Sequence, residues 1–365
     1  MPVDIITVSV AAPSGWAEEA WAVVASRMVD KGIVVTIAAG NEGSDGPFDM
    51  RTAASGKNVL AVAMADTLSA KGTRASSTTS WGLLNDLGLK PDIAAPGTSL
   101  KTTAPDNRLT IASGTSISCP YVAGVAALYI GEFGGRRVHR ERFALDLSRR
   151  IIFHRAASRV PRLQNYAPVA VRYYLSSQDA YGFHTLHLNC TDGSKTVKRL
   201  SQLVPRKLAV KVGLPGDFTL KPRHIRVSVD FKNPNTLGWS AAALPLYSGK
   251  IIVSGDNGDE LSVPYAGKYS SVGADLRKEI HFARLPRIYD NSIWGTRELR
   301  WDAYPPVAGE NGFVGSGTYT AGGRWDTNNT LPYPKTNLAR RKDKSEHWWT
   351  GKLADGSQIA AGNYT

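Results

Sequence analysis

The first third of the chain alternates unbroken apolar runs with mixed segments. Asp4–Val10 (DIITVSV), Gly32–Asn41 (GIVVTIAAGN) and Asn58–Ala65 (NVLAVAMA) are apolar and rich in β-branched residues. That composition suits strands buried on both faces of a parallel sheet. Between the first two, Ser14 is placed to cap a helix that carries Glu18 and Glu19 in its first turn and ends at Lys31–Gly32. Ala17, Trp21, Val24 and Met28 share one face of it at helical spacing. A further run, Ile117–Ile130, contains Pro120 and is too short to cross a bilayer, so it predicts a buried core helix. Ala123, Gly124, Ala126 and Ala127 are small enough for close packing around it. The whole is an α/β pattern, with parallel strands joined by crossover helices.

Beyond Pro168 the texture changes. Short runs such as KLAVKVGL, HIRVSVDF, KIIVSG and ELSVPYAG are separated by Gly, Asn, Asp and Pro. This spacing predicts antiparallel strands in a β-sandwich. The resulting division is a first domain over 1–168, a junction over 169–180 and a β-domain over 181–365.

Charge changes the picture little. The net +13 includes an arginine cluster between Arg136 and Arg162, but Phe143, Leu147 and Ile151 recur there at four-residue steps. The arginines therefore read as the solvated face of an amphipathic segment, and no nucleic-acid-binding signature accompanies them. Cys119 and Cys190 make no disulfide framework and have no neighbours at zinc-ligand spacing, so neither a metal nor a cofactor is expected. No basic-then-apolar leader opens the chain. Asn189, Asn328 and Asn363 lie in glycosylation sequons.

Three motifs carry candidate chemistry. Ala38–Gly43 (AAGNEG) follows a buried strand, so Asn41 projects from a strand's carboxyl end, where its amide can donate to a developing oxyanion. Lys90–Gly97 (KPDIAAPG) is stiffened by Pro91 and Pro96 and is expected to form a wall of the site. Ala112–Leu128 (ASGTSISCPYVAGVAAL) sets Ser116 at a helix start, where the N-terminal field and free backbone N–H groups favour negative charge.

In this order the three motifs resemble those of the subtilisin-like serine peptidases, the subtilases. The resemblance covers about residues 4–165. It implies a partial subtilisin-like parallel-sheet domain, with Ser116 as nucleophile and Asn41 as oxyanion donor. Thr7–Trp16 is similar to the family's substrate strand, so Ser9, Val10 and Ala11, with Ala38, Ala39 and Gly40, would line the substrate cleft. Ala11 stands where the family has glycine, Leu83 where it has proline and Ile117 where it has methionine. The second half resembles the fibronectin-III-like domain of large secreted subtilases, expected to be incomplete at its C-terminus. A polypeptide substrate and an extracellular setting follow from the resemblance, and no membrane span is expected from the length of the apolar runs.

The family's triad runs Asp, His, Ser along the chain. Here all seven histidines follow Ser116, beginning at His139. The expectation is therefore an N-terminally truncated peptidase domain, inactive as given. The alternatives are a catalytically dead relative that binds polypeptides or surfaces, and a basic nucleic-acid-binding protein.

Overall fold

The computed structural model describes residues 3–133 apart from 11 and 87. Between 151 and 359 it describes the segments 151–153, 162–164, 169–187, 195–197, 203–205, 211–221, 224–226, 230–232, 243, 245–268, 287–290, 295–304, 313–320, 330–339, 345–349 and 352–359. The chain divides into two compact units, Met1–Val272 and Gly273–Thr365.

In the first unit, β1 (Ile5–Val8), β2 (Val34–Ala38), β3 (Leu60–Asp66) and β5 (Ile93–Pro96) lie side by side and parallel. The two-residue β4 (Arg74–Ala75) adds antiparallel to the end of β3. Helix α1 (Ala20–Asp30) and helix α2 (Thr115–Phe133) use opposite faces of this sheet. Successive strand side chains point to opposite faces, and β2 shows the consequence. Val35, Ile37 and Ala39 pack with Ala25 of α1 and with Val59, Ala61 and Leu84. Val34 and Ala38 pack with Leu60, Val62 and Ala95 against Cys119, Val122 and Ala126 of α2. A strand with a helix on each side has no solvent face to supply, which is why the sequence shows no polar alternation.

Three expectations are corrected. Ser14 does not cap α1: its hydroxyl accepts the Trp16 N–H at 3.3 Å, and the Glu19 side chain accepts the Trp21 N–H at 3.0 Å as the cap. The buried face of α1 is set by Ala22 and Ala25, whereas Trp21 and Val24 are 55% and 48% exposed. Nor is α2 buried all round. Cys119, Val122, Ala123 and Ala126 are covered by the sheet, while Tyr121, Val125 and Leu128 on the other side are 54%, 46% and 76% exposed. Gly124 faces open space and Ala127 is exposed, so close packing rests on Ala123 and Ala126 alone.

Between β5 and α2 runs the hairpin of β6 (Leu100–Ala104) and β7 (Arg108–Ala112). Asp106 and Asn107 turn it at φ 61° and 55°, the left-handed conformation such tight turns require.

The second sheet of this unit is built on three long antiparallel strands, Val171–Phe183, Leu246–Gly255 and Glu260–Lys268. Phe218–Leu220 extends it at one side, and Ile151–Phe153 joins the other side in parallel. Val171, Tyr173, Leu220, Tyr247, Ile251, Val253 and Tyr265 form its core. The stretch expected as a junction, 169–180, thus supplies most of a strand that is paired on both sides within a sheet. Ile151, expected on an amphipathic segment, opens a strand, and Phe143 and Leu147 lie outside the described residues. Phe183 meets the Trp81 ring edge to face, with centroids 6.1 Å apart.

Gly273–Thr365 contains short antiparallel ladders. Arg287–Asp290 pairs with Ser345–Trp348, Thr296–Leu299 with Lys335–Leu338, and Thr318–Thr320 with Thr330–Pro332. Trp301 and Trp349 pack together, their ring centroids 4.9 Å apart. No helix among the described residues is long and apolar enough to cross a membrane.

The two faces of the first sheet give a stability test. Ile37 is 1% exposed, so Ile37→Ala is expected to cost about 2–5 kcal/mol in urea unfolding. Trp21→Ala, on the outer face of α1, is expected to cost less than about 0.5 kcal/mol in the same measurement.

Candidate active site

The carboxyl ends of β1 and β2 meet the N-terminus of α2. As β2 ends, the Ala39 N–H still bonds the Val62 carbonyl at 2.9 Å, and Gly40 then turns the chain at φ 118°. A side chain at Gly40 would lie 2.6 Å from Ser80 Oγ and 2.8 Å from both Arg51 Cγ and Glu42 Oε2, so glycine is required. The next residue, Asn41, points at the start of α2. Its Oδ1 accepts two hydrogen bonds, from the Thr115 N–H at 2.9 Å and from Thr115 Oγ1 at 3.1 Å. Because a backbone N–H can only donate, the atom facing it must be the oxygen, and Nδ2 is turned the other way. Thr115 Oγ1 completes the link by accepting the Gly40 N–H at 3.3 Å.

Helix α2 is held from beneath by β5. Ser118 Oγ donates to the Ala95 and Pro96 carbonyls at 3.0 and 3.1 Å, and the Gly114 N–H donates to the Gly97 carbonyl at 2.9 Å. The KPDIAAPG segment therefore is part of the site's wall, as a fourth parallel strand rather than an isolated turn. A Cβ built on Gly114 would lie 3.6 Å from Asn41 Nδ2 and 3.7 Å from both Asn41 Oδ1 and the Ser116 backbone nitrogen. The absent side chain leaves a small space beside the Asn41 amide and the Ser116 backbone nitrogen, at the positive end of a helix 19 residues long.

Ser116 itself meets the end of β1. Its Oγ donates to the Ser9 carbonyl at 3.4 Å, and Ser9 Oγ donates to the Ser116 carbonyl at 3.1 Å. Asn41, Ser116 and Ser9, far apart in sequence, are thus brought together around Gly114. Val10 is 69% exposed beside them, Ala38 and Ala39 are buried under the turn, and Ala11 lies outside the described residues. Among the described residues no histidine bonds Ser116 Oγ, and His139 and His154 also lie outside them.

Sequence reasoning missed the groups that hold Asn41. Glu42 Oε2 accepts the Asn41 N–H at 2.7 Å, Arg51 Nε at 2.8 Å and Ser80 Oγ at 3.3 Å, and the Arg51 guanidinium also pairs with Glu42 Oε1. Ser80 grips the same turn from the other side: its N–H donates to the Gly40 carbonyl at 2.8 Å and its Oγ accepts the Glu42 N–H at 3.2 Å. The one available signal was an acidic residue in a glycine-rich turn with an arginine nine positions on.

Thr115 is fully buried, so its hydroxyl can be tested by removal. Thr115→Val keeps the shape but leaves the Gly40 N–H without its acceptor. It is expected to cost about 1–3 kcal/mol in urea unfolding, the penalty of an unsatisfied buried donor.

Residues 1–170 match the model of the subtilase family, Peptidase S8. Subtilisin DY of Bacillus licheniformis is 35% identical over 135 residues, covering 36% of this chain and 43% of the relative. The C5a peptidase of Streptococcus pyogenes is 48% identical over 59 residues, covering 16% of this chain and 5% of the relative. The chain thus spans less than half the length of these relatives. Among solved structures, the self-cleaved protease domain of PatA is similar at 25% identity and a TM-score of 0.33, over 40% of this chain and 54% of the other. Sphericase is similar at 23% identity and a TM-score of 0.34, over 40% and 48%. Residues 1–170 of this chain therefore carry a subtilase-family domain.

Proposed function

We propose that residues 1–170 supply the nucleophile and oxyanion groups of a serine endopeptidase acting on polypeptides. The observation that carries this reading is the space beside Gly114, with the Asn41 amide and the Ser116 backbone nitrogen both next to it at the start of α2. In that role Ser116 Oγ attacks the scissile carbonyl carbon and the carbonyl oxygen becomes an oxyanion. The two N–H donors stabilise that charge in place, without reorganising during the reaction. Collapse of the tetrahedral intermediate expels the amine and leaves an acyl group on Ser116, which water then removes. Ser9–Ala11 line the cleft that holds the substrate backbone, and Ala38–Gly40, buried under the turn, form its base. A division at about residue 168, a fibronectin-III-like β-domain beyond it and an extracellular setting belong to the same proposal.

The reading also includes slow turnover by residues 1–365 alone. The hydroxyl of Ser116 bonds a carbonyl oxygen, which cannot take its proton, and a neutral serine is a weak nucleophile. Oxyanion donors and binding alone leave about 10³–10⁴ of acceleration over water. The same hydrogen bond favours the second reading, in which the cleft binds polypeptides without cleaving them.

A fluorophosphonate probe separates the two. Slow labelling that disappears in Ser116→Ala, and that quickens when a polypeptide carrying the family's Asp and His is added, is the expected result. Rapid Ser116-dependent labelling of the chain alone would place a base at the site and overturn the inactive assignment. Labelling that survives Ser116→Ala would remove the nucleophile.

A further inference from the structure

A regular α-helix bonds each carbonyl to the N–H four residues on. For Ser116 that residue is Pro120, which has no N–H and whose ring crowds the carbonyl four positions back. Helix α2 nevertheless runs unbroken from Thr115 to Phe133 with the proline inside it. Pro120 is exposed, so burial of its ring does not account for its position. The effect of the proline is local: it leaves the Ser116 carbonyl without its helical partner. That carbonyl does not stay unpaired. Ser9 Oγ donates to it at 3.1 Å, while Ser116 Oγ donates to the Ser9 carbonyl at 3.4 Å. Two serines 107 positions apart exchange a reciprocal pair of hydrogen bonds, and one half of the exchange uses a carbonyl that a proline has kept open.

We propose that Ser9 and Pro120 act as a coupled positioning pair for Ser116. Pro120 withholds the N–H that would close the helix onto the Ser116 carbonyl. The Ser9 hydroxyl occupies the vacancy and ties the first turn of α2 to the residue that follows β1. The tie fixes how far α2 extends toward the end of the sheet, and so the direction in which Ser116 Oγ is presented. The side chain of Ser9 is a positioning group, distinct from the substrate contacts expected of the backbone around it. The consequence for reactivity rests on Ser116 being the nucleophile. The structural pairing does not.

The pairing makes a prediction with a particular sign, because Ser9 matters only while position 120 lacks an N–H. The test is a double-substitution cycle on the 365-residue chain with Ser9→Ala, Pro120→Ala and both together, with Ser9→Thr as the variant that keeps the hydroxyl. Two quantities are read, the urea unfolding midpoint and the rate at which a fluorophosphonate labels Ser116. In the parent chain Ser9→Ala is expected to lower the midpoint and to slow labelling by about tenfold, the scale of one hydrogen bond, and Ser9→Thr, which keeps the hydroxyl, to hold the midpoint near the parent's. In the Pro120→Ala chain the added Ser9→Ala change is expected to shift the midpoint less than half as far, and to slow labelling correspondingly less. Such non-additivity identifies two residues acting through one group. Equal shifts in both backgrounds, no midpoint shift in either, or a Ser9→Thr midpoint as low as that of Ser9→Ala would each overturn the pairing. Should Ser116 resist the reagent in every variant, the nucleophile reading fails, and the midpoint cycle still decides whether Ser9 and Pro120 are coupled.

Discussion

The two hydrogen bonds from Thr115 to Asn41 Oδ1 are the constraint on which the candidate site depends. One end is the turn leaving β2 and the other is the first turn of α2, so the bonds join the sheet to the helix packed on it. They also fix chemistry. An asparagine amide can present either its oxygen or its nitrogen, and the Thr115 N–H accepts only the first choice. The nitrogen is thereby left free of Thr115, 3.6 Å from where a Gly114 side chain would begin. A polar side chain ordered in this way needs support from several directions, and Glu42, Arg51 and Ser80 provide it from the outer side of the turn. The charged pair does not stand alone as a surface salt bridge. Its carboxylate also accepts the Asn41 N–H and the Ser80 hydroxyl, which is the arrangement that rigidifies a loop.

Packing explains why the turn and the helix can come so close. The face of α2 against the sheet carries Cys119, Val122, Ala123 and Ala126, none of them bulky, over Ala38, Val62 and Ala95. Cys119 Sγ lies 3.3 Å from Thr7 Oγ1 and 3.6 Å from Thr36 Oγ1, so the two polar residues in otherwise apolar strands meet a soft, weakly polar neighbour. On the opposite face, a side chain at Gly56 would come within 2.8 Å of the Ala22 carbonyl oxygen. The backbone of that loop touches the helix directly, and the contact is possible only with small residues on both sides.

These close approaches also mark where the sequence was legible and where it was not. The parallel strands and the helix after Ser116 were readable because long apolar runs admit few alternatives. Asn41 and Ser116 were readable because each sits at the end of such a run. The buried face of α1 was misread because hydrophobicity ranks Trp21 above Ala22, whereas a narrow gap selects by volume. The α1 cap was misread because Ser14 is the better capping type, but the cap position, Glu19, lies five residues beyond it. Glu42, Ser80 and Arg51 leave no local pattern, since their partners come from separate loops. Pro120 was read as an interruption of an apolar run, and its effect on the Ser116 carbonyl shows only once Ser9 is placed beside it.

Amide hydrogen exchange at Thr115 tests the central claim most directly. The first N–H groups of a helix have no intrahelical acceptor, so protection at this position has to come from elsewhere. The account predicts that the Thr115 N–H exchanges slowly in the parent chain and loses most of that protection in Asn41→Ala, while sheet amides such as those of Ala61 and Val62 are unchanged. A Thr115 N–H that exchanges as fast as an open loop, or at the same slow rate once Asn41 is replaced, would contradict it.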